Sequence, residues 1–273
     1  MNTREIKKLK PNQQVVLDLF TKACQQDDRI IAAFLAGSYA RGAADEYSDL
    51  DLDLITTDED FDDFYANLNS FMRRLGEPLF LEDFGLPNIV FYMFENGVEG
   101  ELGIGRASQF SEIHTGPYQI LLDKRDLLTG TAFHEKQPDP AEQTEKLRHL
   151  LIWFWHEWLH LITALGRGQL WWAQGQVEVL RGYCVSLARM HNNFFDEYVG
   201  EEPYFKIEEA ILVDQISALQ STFGPLEKGH LLKAGLVIVQ VFRELALPLA
   251  QAYEIPYPEA LERMMVKRLE ELV

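Results

Sequence analysis

Cysteine is scarce in this 273-residue chain: Cys24 and Cys184 are the only two, far apart and near no second thiol or ligand-spaced histidine. Neither a disulfide framework nor a thiolate zinc site is indicated, and a reducing compartment, the cytoplasm, is expected. Long hydrophobic runs are missing as well. No stretch reaches the roughly 18 uncharged apolar residues of a membrane span, and the basic start MNTREIKKLK has no apolar run behind it. The expectation is a soluble, untethered protein. Positive charge is the third deficit: 25 Lys and Arg stand against 43 Asp and Glu, a formal net charge of -18. A phosphate backbone is held through Lys and Arg, so a nucleic-acid partner is disfavoured. A cationic small substrate suits this balance better, although acidic surfaces also simply keep proteins in solution.

What is present is organised in two halves. Val16, Leu19, Phe20, Ala23 and Cys24 recur at helical spacing after Pro11, predicting an opening amphipathic helix over 12–24. IIAAFLAGS (30–38) is a short apolar run ending in Gly-Ser, and SDLDLDLIT (48–56) alternates leucine with aspartate; both read as strands. FYANLNSFMRRLG reads as one helix capped near Asp60 and stopped by Gly76. Apolar runs at PLFLEDFG, NIVFYMFENG, VEGELGIGR and PYQILLDKRDLL predict further strands. At EKQPDPAEQ (135–143) the glycine-bounded strands cease, and helical patterns follow at 141–165, 170–195, 206–222, 227–252 and 257–272. Two domains are expected, 1–138 and 139–273, the second an all-α bundle.

The chemistry concentrates in LAGSYARGAADEYSDLDLDLIT (35–56). Gly37-Ser38 lets the backbone turn sharply at a strand end, and a helix beginning there offers free N–H groups to an anion such as phosphate. Asp49 and Asp51 stand two apart on a strand and project from one face. Carboxylates so close repel unless a hard divalent cation, Mg²⁺ or Mn²⁺, lies between them. Donors for a departing pyrophosphate together with metal-binding carboxylates are what phosphoryl and nucleotidyl transfer require. A third carboxylate, to accept a proton or complete the metal site, is offered by Glu99 and Glu101 on one strand face; Glu101 is preferred because it lies deeper in the strand. Asp53 reads as an ordinary strand-edge residue or one lying behind the metal ligands. Arg41 either contacts phosphate or closes the loop on a carboxylate such as Asp45.

Gly37-Ser38, Ala40-Arg41-Gly42 and Ser48-Asp49-Leu50-Asp51-Leu52 together resemble the Gly-Ser…Asp-x-Asp signature of the DNA polymerase β-like nucleotidyltransferase superfamily. The full spacing and two-part layout are similar to its antibiotic-modifying branch, the aminoglycoside and lincosamide nucleotidyltransferases. The resemblance rests on motif in the first half and on architecture alone in the second. It implies an α+β fold, a nucleotidyltransferase αβ domain with a mixed sheet followed by an all-α bundle that binds substrate. It implies that Gly37 and Ser38 hold the triphosphate, that Asp49 and Asp51 hold Mg²⁺, and that Glu101 takes the third carboxylate position. Relatives carry an aspartate on that strand, where this chain has Glu99-Gly100-Glu101. The implied reaction moves a nucleoside monophosphate, AMP from ATP, onto a hydroxyl of a small molecule such as an aminoglycoside or lincosamide antibiotic. No nucleic acid or membrane takes part, and a homodimer is left open.

The helical half holds all five tryptophans, between residues 153 and 172. Leu147, Leu151, Phe154, Trp158, Leu161 and Leu165 form one stripe and predict core. Trp153, Trp155, Trp171 and Trp172 cannot all share it, leaving one free to line a substrate cleft. His156-Glu157-x-x-His160 has the order of a zinc-hydrolase helix, without a clear third ligand elsewhere. Arg181, Arg148 and His149 either reach the triphosphate or pair with acidic surface. The competing functions are adenylylation of a partner protein and zinc hydrolysis at His156, Glu157 and His160.

Overall fold

The computed structural model describes residues 9–110, 116–128, 139–200 and 202–272. Residues 135–138, part of the stretch where the sequence places the domain boundary, lie outside them. The chain divides into two compact units, Met1–Gln137 and Pro138–Val273.

The first unit is built on a mixed sheet. Its described elements are α1 (Pro11–Gln26), β1 (Ile30–Leu35), α2 (Gly37–Arg41), β2 (Leu52–Thr56), α3 (Phe61–Ala66), α4 (Leu68–Met72), β3 (Pro78–Glu82), β4 (Ile89–Phe94), β5 (Glu99–Arg106) and β6 (Gln119–Asp123). The sheet order is β3-β4-β5-β2-β1-β6. β2 and β5 run parallel, and the other neighbouring pairs are antiparallel. Strand β1 is buried along its whole length, which is why IIAAFL reads as a continuous apolar run rather than an alternating one. Leu50, Leu52 and Leu54 join Val16, Leu17 and Phe20 of α1 in one core. The intervening aspartates therefore face away from α1.

Two local expectations change. The strand expected over 48–56 begins at Leu52, although the residues just before it are hydrogen-bonded on both sides. Leu50 N–H donates to the Glu99 carbonyl (2.9 Å), and Ala36 N–H donates to the Asp51 carbonyl (3.0 Å). The single helix expected after Asp60 is two short ones. Asn67 parts them, with its Nδ2 donating back to the Asp63 carbonyl at 2.8 Å.

The second unit is helical among its described residues: α5 (Pro140–Gly166), α6 (Leu170–Asn192), α7 (Ile207–Ala210), α8 (Val213–Gln220), α9 (Lys228–Ala252) and α10 (Glu259–Glu270). Asp139 caps α5 by accepting from Ala141 N–H (2.8 Å), with Pro140 in the first turn. The predicted stripe from Leu147 to Leu165 is buried, and so is Trp155. Phe154 stacks on Phe242 with ring centroids 3.6 Å apart. The helix expected over 206–222 is broken by extended backbone at Ile211 and Leu212, where Gln215 Oε1 accepts from Leu212 N–H to open α8. Arg181 does not reach toward solvent. It is buried, donates to Thr222 Oγ1 (2.8 Å), pairs with Glu178 and lies over the Phe223 ring, fastening α6 to the turn after α8. Arg148 pairs with Glu145. No described helix is long and apolar enough to cross a membrane.

Candidate active site

The site forms at one end of the sheet, where β1 leaves and β2 and β5 enter. Antiparallel pairing sets Leu35 beside Leu52, so the turn after β1 lies beside the aspartates before β2. Parallel pairing sets Leu52 beside Leu102, which brings Glu101 alongside Asp51. The sequence separates these groups, and the strand register reunites them.

Glycine makes the close approach possible at two points. Gly37 has φ +60, and a Cβ there would fall 1.7 Å from Asp51 Oδ2. A Cβ on Gly100 would fall 2.1 Å from the Leu50 carbonyl oxygen. Any side chain at either position would drive the aspartate-bearing segment off the sheet. That segment is also held from two sides. Tyr92, buried on β4, donates its hydroxyl to the Leu50 carbonyl at 2.5 Å, fixing the peptide between Asp49 and Asp51. Gln13 on α1 donates Nε2 to the Ser48 carbonyl (2.9 Å) and accepts from the Tyr39 hydroxyl (2.6 Å), tying both halves of the signature to the first helix.

Gly37, Arg41, Asp49, Asp51, Asp53 and Glu101 all line one cleft of about 610 Å³. Ser38 adjoins it, and its Oγ is buried with no partner among the described residues. Glu99 lines a separate, smaller cleft with Ser48 and Lys10. Of the two readings of Asp53, the strand edge is the one that does not hold. It is 9% exposed rather than at a solvated strand edge, and its carboxylate shares the cleft. The alternation of Asp49, Asp51 and Asp53 shows in the sequence that they share a face, but not that Asp53 is buried. The supporting roles of Tyr92 and Gln13 left no signal.

The carboxylates disturb one another. Burial, then the charges of Asp49 and Glu101, push Asp51 up to about 6, while Arg41 and the Glu101 backbone N–H pull the other way. Burial, then Asp51 and Glu101, push Asp53 up to about 7. Burial and Asp49 raise Glu101. Such crowding of hard oxygen donors fits the donor set of a divalent cation, which Asp49, Asp51, Asp53 and Glu101 could hold from the wall of one cleft.

No curated protein matches this chain. Among solved structures it is similar to an aminoglycoside 6-adenyltransferase from Bacillus subtilis, at 17% identity and a TM-score of 0.39, covering 97% of this chain and 99% of that one. Residues 11–272 match the streptomycin adenylyltransferase family, a span from the first residue of α1 to beyond the end of α10. With both units inside that match, the chain belongs to the streptomycin adenylyltransferase family and is a nucleotidyltransferase.

Proposed function

We propose that this enzyme transfers AMP from ATP to a hydroxyl of an aminoglycoside, with Mg²⁺ (Mn²⁺ as substitute) held by Asp49 and Asp51. The observation that carries the reading is the convergence of Asp49, Asp51 and Glu101 with Gly37 and Arg41 in one cleft. The family name puts streptomycin first among acceptors, and a polycationic sugar complements a chain of net charge -18.

In the proposed reaction the acceptor oxygen forms a bond to the α-phosphorus of ATP as the bond to the β-phosphate oxygen breaks, and pyrophosphate leaves. An ion held by Asp49 and Asp51 would neutralise the charge on the transferring and departing phosphates. The Gly37 backbone and the unpartnered Ser38 hydroxyl hold the triphosphate, and Arg41 adds a cation at the cleft wall. Glu101 receives the acceptor's proton on a carboxylate oxygen. Its raised affinity for protons, caused by burial and Asp49, brings it nearer to the operating pH of a general base. Asp53, beneath Asp51, adds negative charge that tightens the hold on a cation. Adenylylation of a protein partner and zinc hydrolysis at His156, Glu157 and His160 draw no support from the family.

The test is incubation with Mg²⁺, each of the four nucleoside triphosphates and a panel of aminoglycosides, streptomycin first, with lincosamides alongside. Mass spectrometry should find one AMP added to an aminoglycoside when ATP is the donor. Absence of a nucleotide adduct on every acceptor, or an adduct that persists after Asp49→Asn and Asp51→Asn, overturns the reading.

A further inference from the structure

We propose that His156, Glu157 and His160 on α5 bind one borderline divalent transition ion of the Zn²⁺ type, at a site whose residues have no part in the transfer reaction proposed above. Residues 156 and 160 stand one turn apart on a helix face, and 157 reaches the same side through its i,i+3 relation to 160. The His156 and His160 ring centroids are 4.7 Å apart. Glu157 Oε2 lies 3.1 Å from His160 Nδ1. One ligand atom from each of the three lies within 4.8 Å of the others. A tetrahedral zinc ion with bonds of about 2.0–2.1 Å needs ligand atoms about 3.4 Å apart. The existing spread closes with small rotations, and His156, the most exposed of the three, has room to make them.

The surroundings hold these donors in place. The Gln176 amide from α6 lies between Glu157 and Trp172, and the amide orientation that satisfies both neighbours has its nitrogen donating to Glu157 Oε2 (2.8 Å) and its oxygen accepting from Trp172 Nε1 (3.1 Å). The Trp172 ring lies 5.9 Å from His160, and Trp153 packs against His156 at 5.0 Å. A carboxylate ligand fixed by an amide and imidazoles fixed by aromatic rings form the kind of outer layer that orients metal ligands. Ligand chemistry separates this site from the carboxylate cleft. Two imidazoles and one carboxylate prefer Zn²⁺, Ni²⁺ or Cu²⁺, whereas the all-oxygen set at Asp49 and Asp51 suits Mg²⁺. At least one coordination position stays open to water or to a heteroatom of a small ligand. No hydrolytic step is assigned to it. Without an ion the same groups are a His–Glu contact on a helix surface, and that is the alternative the experiment decides.

The full chain, stripped with chelator and returned to excess Mg²⁺, is titrated with Co²⁺ and followed by visible absorption. One equivalent should develop ligand-field bands, displaced by Zn²⁺, in wild type and equally in the Asp49→Asn/Asp51→Asn variant. His156→Gln and His160→Gln should each lose the bands, and Gln176→Ala should bind about 10- to 100-fold more weakly. No bands in wild type overturns the site. Bands that survive in the His156→Gln/His160→Gln double variant, or vanish in the aspartate variant, overturn it by locating the ion elsewhere. Histidine ring resonances of the unmutated chain give a readout that depends on no variant: two of the seven imidazoles must move with the first equivalent of Zn²⁺, and movement of neither His156 nor His160 overturns the proposal.

Discussion

Asp53 stands in the space a side chain at Gly103 would need: a Cβ there would lie 2.0 Å from Asp53 Oδ1. The two face each other across the parallel pair of β2 and β5, so the bare backbone at 103 is what admits a carboxylate beneath Asp51. Gly103→Ala should therefore cost about 1–3 kcal/mol through overpacking, a loss of several degrees in Tm by thermal melt. Asp53→Ala in the same chain should recover part of that loss. Additive costs in the double variant would show that the two residues do not share this space.

Stability of the metal-free protein should fall as pH rises through neutrality. Asp51 and Asp53 are pushed up to about 6 and about 7, while aspartates in an unfolded chain ionise near pH 4. Between those limits the folded state keeps protons that the unfolded state has lost. The stability they contribute is full below about pH 4 and is lost as pH rises through about 6 to 7. In chelator, Asp53→Asn should show a flatter Tm profile than wild type between about pH 5 and pH 8. Parallel profiles for the two proteins would remove Asp53 from the linkage. Added Mg²⁺ should restore stability at the alkaline end for wild type.

Replacing Asp49 or Asp51 with Asn should leave the fold intact and nearly abolish transfer, since each removes a negative ligand from the proposed ion. Full turnover in either variant, measured by pyrophosphate release with an aminoglycoside acceptor, would sink the assignment.

Glu101→Gln separates a base from a ligand. As the base it should lower kcat by about 10²- to 10⁴-fold with little change in nucleotide binding. As a metal ligand it should instead weaken Mg²⁺ binding, and raised metal should restore part of the rate. Glu99→Gln is the control and should behave as wild type, because Glu99 lines a different cleft. The reverse result would move the catalytic register on β5 by two residues.

Ser38→Ala should raise the nucleotide KM by a factor of about five, the equivalent of one hydrogen bond at about 1 kcal/mol. Unchanged KM and turnover would mean that Ser38 only shapes the turn.

Strand β1 and the helical stripe of α5 were legible because each is a local pattern, an apolar run and a 3.6-residue repeat. The bracketing of Asp49 and Asp51 by leucines likewise announced which way they point. The burial of Asp53 was not legible, because it depends on Gly103 from a strand far along the chain. Arg181 read either as a group for the triphosphate or as a partner for acidic surface; the Thr222 and Phe223 contacts that enclose it come from the turn after α8, and no window around residue 181 contains them. The breaks at Asn67 and at Ile211–Leu212 are set by side-chain bonds to backbone that compete with helical propagation. Helical periodicity alone does not register such competition.

The parallel register of β2 with β5 has a consequence for how the enzyme comes to exist. Leu52 and Leu102 are neighbours, with the antiparallel hairpin of β3 and β4 lying between them in the chain. Parallel strands cannot zip up from a tight turn, so Glu101 reaches Asp51 only when the roughly 50 residues between Leu52 and Leu102 close into a loop. The like charges of Asp51 and Glu101 thus meet only through a long-range closure, later than contacts made between near neighbours in the chain. An ion held by these carboxylates as proposed would bind only at that late step, so it should quicken the final maturation of the site rather than the collapse of the chain.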